Sequence, residues 1–298
     1  MNLRKAYLSL IEEVWTIGIV ESSLKDIING EDLKIHSIKH SYHDRWFADP
    51  FVLDVIENQI ELLVEEYYFP IRRGRIAKLT IDRKSYRLLN VVTVLELDTH
   101  LSFPAIIRKE GALYIYPENS ASGKLTLYSY NPQTNKCIPE SILVEEPLTD
   151  AIIYSPESVA PLLFSTKVPT MQHHLLGVYI KEGNCFVFSK NYVFKDRITR
   201  GAGDFFCIDN KLYRPAQEYN KWYGRGLSIQ KVELNNGECI FTEIRRIHSN
   251  VKGYKDGIHT LNSYKNVIVV DLKHYKHPYL RPFAQFIMSC YIWIKSIM

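Results

Sequence analysis

The chain has 298 residues, 46% of them hydrophobic and 23% charged, which suits one large closed-core domain and excludes a disordered or fibrous protein. A net charge of +4 is too small to argue for a nucleic-acid partner, and none is expected. The five cysteines, at 137, 185, 207, 239 and 290, form no CxxC pair, which argues against a disulfide framework or zinc ribbon and suits a reducing compartment.

In chain order, residues 3–13 read as a short helix. Its apolar run is short and broken by Glu12 and Glu13, unlike a secretion leader, so a cytoplasmic protein is expected. Residues 14–20 and 33–38 read as two strands. A larger unit then begins. Trp46, Phe47 and Ala48 lead to Asp49, an apolar strand follows, and after a polar turn a second apolar strand ends in Glu65 and Glu66. The same order returns from Phe103 to Glu118, from Asp150 to Ser165, from Gly203 and Asp204 to Arg214 and Gln217, and from His259 to Asp271. The openings, near residues 49, 103, 150, 203 and 259, recur about every fifty residues, the period of a propeller blade. Outer hairpins are legible too, with turns at Gly183-Asn184 and Asn235-Asn236-Gly237.

The expectation is an all-β, five-bladed β-propeller over residues 1–275, with short terminal helices. The fifth repeat lacks an outer hairpin and residues 14–40 precede the first repeat, so the N-terminal strands are expected to complete the fifth blade. Residues 276–298 form a tail in which Lys276, His277 and Arg281 lead into an aromatic and aliphatic run. Too short and interrupted to span a bilayer, it reads either as a segment lying on an anionic inner membrane surface or as a helix packed on a blade or a subunit.

Equivalent positions of successive blades face one another across the axis. Asp49, Asp150, Asp204 and His259 at the openings, and Glu65, Glu66, Glu118, Arg214, Gln217 and Asp271 at the second strands, are therefore candidates for one cavity, with a turn cap before Pro50 as the alternative for Asp49. Arg45, Arg200 and Arg214 could clamp a phosphate or form an Arg-Asp network. Glu218 follows Gln217, but the alternation of the strand points Gln217 inward. His274 and His277 have no third ligand, and no metal site is assigned.

Trp46 to Phe51, Ser102-Phe103-Pro104, Tyr116 to Ser120, Asp150-Ala151, Arg200 to Gly203, Tyr213 to Gln217, Tyr223-Gly224 and His259 to Asn262 form an ordered series. It resembles the propeller domain at the N-terminus of plant glucosamine inositolphosphorylceramide transferases, also found in bacterial surface-polysaccharide loci. More distantly it is similar to the family-43 glycoside hydrolases. In those hydrolases an opening-blade aspartate acts as base or nucleophile, a third-blade aspartate tunes the acid and a glutamate protonates the leaving group; the resemblance puts Asp49 in the first role and Asp150 in the second. Where a hydrolase would carry its general acid, in the fourth blade, this chain has Arg200, Arg214 and Gln217. Arginines there suit a phosphate leaving group.

The expected function is therefore a glycosyltransferase of surface-polysaccharide assembly, cytoplasmic and peripheral on the membrane. It would move a furanosyl group, in the specific form a 5-phosphoribosyl group, from a phosphorylated sugar donor to a glycan or lipid-linked glycan acceptor. Asp49, Asp150 and Glu118 would be catalytic. Arg45, Trp46, Glu66, Arg200, Asp204, Arg214, Gln217, Tyr223 and His259 would bind donor and acceptor, with Mg2+ accompanying a diphosphate. A glycoside hydrolase, with Asp49 as base and Glu66 or Glu118 as acid, and a non-catalytic glycan-binding propeller are the alternatives.

Overall fold

The computed structural model describes residues 12–277 apart from 157–159, 168–173 and 236, together with Leu280, Phe283, Phe286 and Ile287. Most of the helix read over residues 3–13 lies outside the described residues, and Glu13 begins a strand.

Five four-stranded antiparallel sheets form the ring. Blade I holds β3 (Arg45–Ile56), β4 (Gln59–Tyr68), β5 (Arg73–Asp82) and β6 (Leu88–Leu95). Blade II holds β7 (Ser102–Lys109), β8 (Ala112–Glu118), β9 (Leu125–Asn131) and β10 (Lys136–Val144). Blade III holds β11 (Leu148–Tyr154), β12 (Leu162–Lys167), β13 (Leu175–Glu182) and β14 (Cys185–Val193). Blade IV holds β15 (Phe206–Ile208), β16 (Lys211–Glu218), β17 (Gly226–Asn235) and β18 (Glu238–His248). Blade V runs β19 (Leu261–Tyr264), β20 (Val267–Tyr275), β1 (Glu13–Val20) and β2 (Ile35–Ser37).

The five-bladed propeller is thus as the repeats require, and the closure is as expected. β1 pairs with β20 along its whole length, from Glu13 opposite Tyr275 to Val20 opposite Ile268, so the two ends of the ring are hydrogen-bonded into one sheet. Between β1 and β2 lies a helix that the sequence reading passed over, α1 (Leu24–Asn29). Six residues make a marginal helix, and two caps hold it. Ser23 Oγ accepts the Asp26 N–H while the Asp26 carboxylate accepts the Ser23 N–H, and Gly30 closes the other end at φ 101°.

The strand faces explain the core. β3 and β4 carry long apolar runs because each is covered on both sides by neighbouring blades, as a central strand requires. Between blades I, II and III, Phe51, Leu63, Phe103, Ile115 and Tyr116 belong to one buried cluster.

One glycine sits at a close approach between blades. Gly203, before β15, has φ 148°, and a Cβ there would lie 2.1 Å from the Leu261 carbonyl oxygen of blade V. Gly203→Ala should cost about 3 kcal/mol, read as a lower urea midpoint at unchanged slope. An unchanged midpoint would mean the blade IV–V contact is slack.

Candidate active site

The repeated opening has a shared backbone device. In β3, β7 and β11 the pairing with the next strand slips between Ala48 and Phe51, Ser102 and Ala105, and Thr149 and Ile152. Within each slip a residue adopts left-handed backbone: Asp49 (φ 49°), Phe103 (φ 47°) and Asp150 (φ 44°). Such bulges kink a strand and free an N–H from its ladder, and a buried N–H must find another acceptor. A neighbouring blade supplies it. Asp49 N–H donates to Asp271 Oδ2 of blade V (3.2 Å), Phe103 N–H to Asp49 Oδ2 (3.1 Å), and Asp150 N–H to Glu118 Oε2 (3.0 Å). Asp204 N–H likewise donates to Asn262 Oδ1 (2.8 Å). The matched polar positions therefore staple each blade to another as well as lining the axis.

At this mouth of the ring lies a cavity of about 250 Å3, lined by Trp46, Asp49, Glu65, Glu118, Arg200 and His259 among others. It is smaller than the roughly 300–1,000 Å3 of drug-sized sites, so it fits a small polar ring. Its walls are aromatic. Trp46 stacks on Tyr67 with centroids 4.8 Å apart, and Trp15 stacks on His259 at 4.1 Å, with Tyr223 edge-on to that imidazole. Flat amphipathic rings are what a sugar face packs against.

Carboxylates dominate the charge. Asp49 is buried, and Oδ1, its atom nearest His259 Nε2 at 3.5 Å, makes no hydrogen bond. Burial, then the fields of Glu65, Asp150 and Asp271, push its carboxyl well above the usual range, with Arg200 opposing. Glu118 is pushed up to about 8, first by burial and then by Asp150. Asp150 is paired with Arg200 Nε and accepts Gln217 Nε2 at 2.7 Å. The same arginine reaches Glu118 Oε2 at 3.5 Å.

Asp271 takes the opposite course. Burial works to raise it, but the charge of His259, whose Nδ1 stands 2.6 Å from Oδ2, and three hydrogen bonds from the His259 and Thr260 backbone and the Thr260 hydroxyl hold it below the usual range. Donor atoms of Asp49, His259 and Asp271 lie within 4.8 Å of one another and could share a cation, a grouping the sequence reading did not assemble.

The sequence candidates thus divide. Trp46, Asp49, Glu118, Arg200, Tyr223 and His259 line the cavity, and Asp150 and Gln217 stand immediately behind Arg200. Glu66 does not. It is one residue past Glu65 on β4 and so faces the other way, where Arg45 (2.5 Å) and Arg75 (2.6 Å) neutralise it. Arg45 is spent on Glu66 and Asp44. Arg214 is buried between blades III and IV against Phe241, donating to the Thr199 carbonyl, and burial pushes it down to about 9. The three-arginine clamp therefore does not assemble, and only Arg200 reaches the site. Asp204 faces a different cavity of about 700 Å3, shared with Ile106, Lys109, Tyr154, Lys181 and Phe205, where burial pushes it up to about 6.

Glu65, read with Glu66 as a second-strand acid, lines the cavity, as do Trp15, Tyr67, His100 and Ser102, which were not singled out as site residues. Trp15 belongs to the closing strand β1, and its register with β20 puts it opposite Lys273. His100 sits in a connection; burial works against its charge, but Glu65, 3.2 Å away, holds it above the ordinary imidazole range.

A family profile described as glucosamine inositolphosphorylceramide transferase 1, N-terminal, matches residues 33–275. The transferase of that name from Arabidopsis thaliana is 27% identical over 204 residues, covering 65% of this chain and 26% of the relative. That from Oryza sativa subsp. japonica is 25% identical over 202 residues, covering 64% and 27%. The chain thus spans about a quarter of the length of these curated relatives. Among solved structures, RS223 β-xylosidase superposes with a TM-score of 0.55 at 10% identity, covering 77% of this chain and 92% of that one. A GH43_1 enzyme from Xanthomonas citri with xylose gives 0.54 at 10% identity, covering 78% and 88%. At such identity the likeness is one of fold.

Proposed function

The chain belongs to the family of glucosamine inositolphosphorylceramide transferase 1 N-terminal domains, and from that premise we propose that its axial cavity is a glycosyl-transfer site. The observation that carries this reading is Asp49 Oδ1, buried, facing the cavity and without a hydrogen-bond partner. Orphaned buried acceptors are rare and ask for a ligand. An acceptor hydroxyl donating to this oxygen would place Asp49 as general base. Glu118, protonated up to about pH 8, would donate a hydrogen bond to a sugar hydroxyl. Arg200, held in place by Asp150, would offset negative charge on a departing phosphate. Trp46 and Trp15 would pack on the sugar ring.

In its finer form the donor is a phosphate-activated sugar and the acceptor a glycan or a glycolipid, as the relatives' name suggests for them. A furanosyl donor remains part of the proposal. The surplus of carboxylates argues for a neutral ring in the cavity and against a 5-phosphoribosyl group, whose second phosphate would meet Asp49 and Glu65. A magnesium ion would be carried by the donor's phosphates, since the Asp49, His259 and Asp271 set includes an imidazole, a ligand better suited to other metals.

Glu118 also supports a second reading. A carboxyl still protonated near neutrality beside an aspartate base is the equipment of a glycoside hydrolase, with Glu118 as acid. The two separate when purified protein is given nucleotide sugars with a glycolipid acceptor, and, in parallel, aryl glycosides. Acceptor-dependent release of nucleotide supports transfer. Free sugar from aryl glycosides alone would move the assignment to hydrolysis, and binding without turnover of either would leave a glycan-binding module.

A further inference from the structure

We propose that a second cavity, on the far side of Trp15 from the axis, binds the phosphate group of a substrate. The phosphate site stands on its own residues; its assignment to the acceptor rests on the transfer reading.

This cavity measures about 390 Å3, within the range of small-ligand sites. Trp15 lines it as well as the axial cavity, and the same indole stacks on His259, so one ring forms the partition. The charge on the two sides differs. Four carboxylates, Glu13, Asp49, Glu65 and Glu118, line the axial cavity against one arginine. Among the described residues no carboxylate lines the second, where Lys39, His40, Arg45 and His274 supply nitrogen. An anion is repelled by the first wall and accepted by the second.

Each nitrogen has a definite state. Arg45, a sequence candidate that misses the axis, lines this cavity, but Asp44 and Glu66 balance its charge, so Lys39 brings the charge a phosphate needs. Lys39 is exposed, and its backbone is held in place. Its N–H donates to the Tyr86 carbonyl (2.9 Å), its carbonyl accepts the Leu88 N–H (3.0 Å), and the Ile38 N–H before it donates to the Ile17 carbonyl of β1 (2.9 Å). His40 Nδ1 accepts the Tyr42 N–H at 3.3 Å, so the neutral ring carries its proton on Nε2, as a donor. Burial, with the charge of His43 adding to it, holds His40 below the ordinary imidazole range. His274 Nδ1 is buried without a hydrogen-bond partner, an orphan of the kind a ligand satisfies. An ammonium and imidazole donors with no competing carboxylate suit the acceptor oxygens of a phosphate. Trp15, Tyr42 and Tyr254 add flat faces for the body that a phosphate ester carries.

Position says which substrate carries it. Arg200, which would face a departing phosphate, is paired with Asp150 and Glu118 of blades II and III. Asp49 Oδ1 instead lies 3.5 Å from His259 Nε2, and His259 stacks on Trp15 of blade V. The second cavity is therefore on the side of the base. A substrate whose hydroxyl meets Asp49 reaches it by passing Trp15, and its phosphate then sits apart from the one that leaves.

The test is nuclear magnetic resonance of the full chain with glucose 6-phosphate, against glucose. The imidazole signals of His40 and His274, assigned by their loss in His40→Gln and His274→Gln, should move with glucose 6-phosphate and stay with glucose. Lys39→Glu changes an exposed side chain, should keep its melting temperature, and should weaken binding of glucose 6-phosphate about tenfold or more. Full binding by Lys39→Glu would overturn the proposal. So would shifts confined to His259 and His100, which line the axial cavity. Uridine diphosphate is the second arm. If it moves His40 and His274 while glucose 6-phosphate does not, the phosphate site stands and its assignment to the acceptor falls. The transfer reading fails differently. Binding that Lys39→Glu loses, in a protein that transfers nothing, would keep the site and remove the reaction. Transfer by Lys39→Glu at an unchanged KM would keep the reaction and remove the site.

Discussion

Asp49→Asn should abolish turnover and at the same time stabilise the fold. The Asp49 carboxyl is buried among Glu65, Asp150 and Asp271, and Arg200 only partly offsets them. Replacing it by the neutral isostere removes a charge that the folded state disfavours, while an amide oxygen can still accept the Phe103 N–H. Asparagine also tolerates the left-handed backbone at φ 49° better than most residues. The linkage has a definite sign. A carboxyl whose folded pKa lies above its unfolded value contributes nothing unfavourable at low pH, where both states hold the proton. The cost appears as pH rises past the unfolded value: the unfolded state releases its proton first, and the folded carboxyl, once ionised to serve as base, carries the full penalty. The gain in melting temperature from Asp49→Asn should therefore be absent near about pH 3 and reach several degrees near neutrality. Activity moves the other way. Loss of a general base costs about 10²–10⁴ in rate. A variant with wild-type turnover would reduce Asp49 to a blade staple and a turn cap, and a lower melting temperature at neutral pH would show that its charge is needed for folding.

How much of this was legible in the sequence depends on the distance over which each feature is encoded. The blades were legible because each repeats a local order, an opening residue, an apolar strand, a turn and a second strand, and because β1 supplies what the fifth repeat lacks. The α1 helix was not read, although Ser23 and Asp26 form a capping box, because six residues give almost no apolar period. Within the site, strand alternation placed Gln217 inward at Asp150, and the same rule applied to β4 separates Glu65 from Glu66. The arginines were harder. Nothing local distinguishes Arg200, which meets Asp150 and Glu118, from Arg214, which lies between two blades against Phe241. Asp204 shows the limit of repeat reasoning. It follows Gly203 rather than occupying the opening itself, and that one-residue offset sends its carboxyl to another cavity while its N–H keeps the staple to Asn262. Trp15 comes to the cavity only through ring closure, a contact between residues some 250 positions apart.

Glu118→Gln should stabilise the protein as well, and its kinetic effect separates the two reactions the cavity could perform. The folded carboxyl is pushed up to about 8 from an ordinary 4.5. Between those values the unfolded chain releases a proton that the folded chain keeps, so wild-type stability declines from about pH 4.5 to about pH 8 and then levels. A displacement of that size corresponds to about 5 kcal/mol at most. Glutamine can still accept the Asp150 N–H and carries no charge to desolvate. The variant should match wild type near about pH 4 and melt higher by about 5 °C or more near about pH 9. In a transfer reaction the phosphate departs without protonation, and Glu118 only donates a hydrogen bond to a hydroxyl, which the glutamine amide also does. Turnover should then fall by no more than about tenfold. In a hydrolase Glu118 would deliver the proton to the leaving oxygen, and the same substitution would cost about 10²–10⁴ and abolish the alkaline limb near pH 8. A large loss accompanied by the stability gain would transfer the assignment to hydrolysis, because the gain shows that the fold is intact and the proton itself was required.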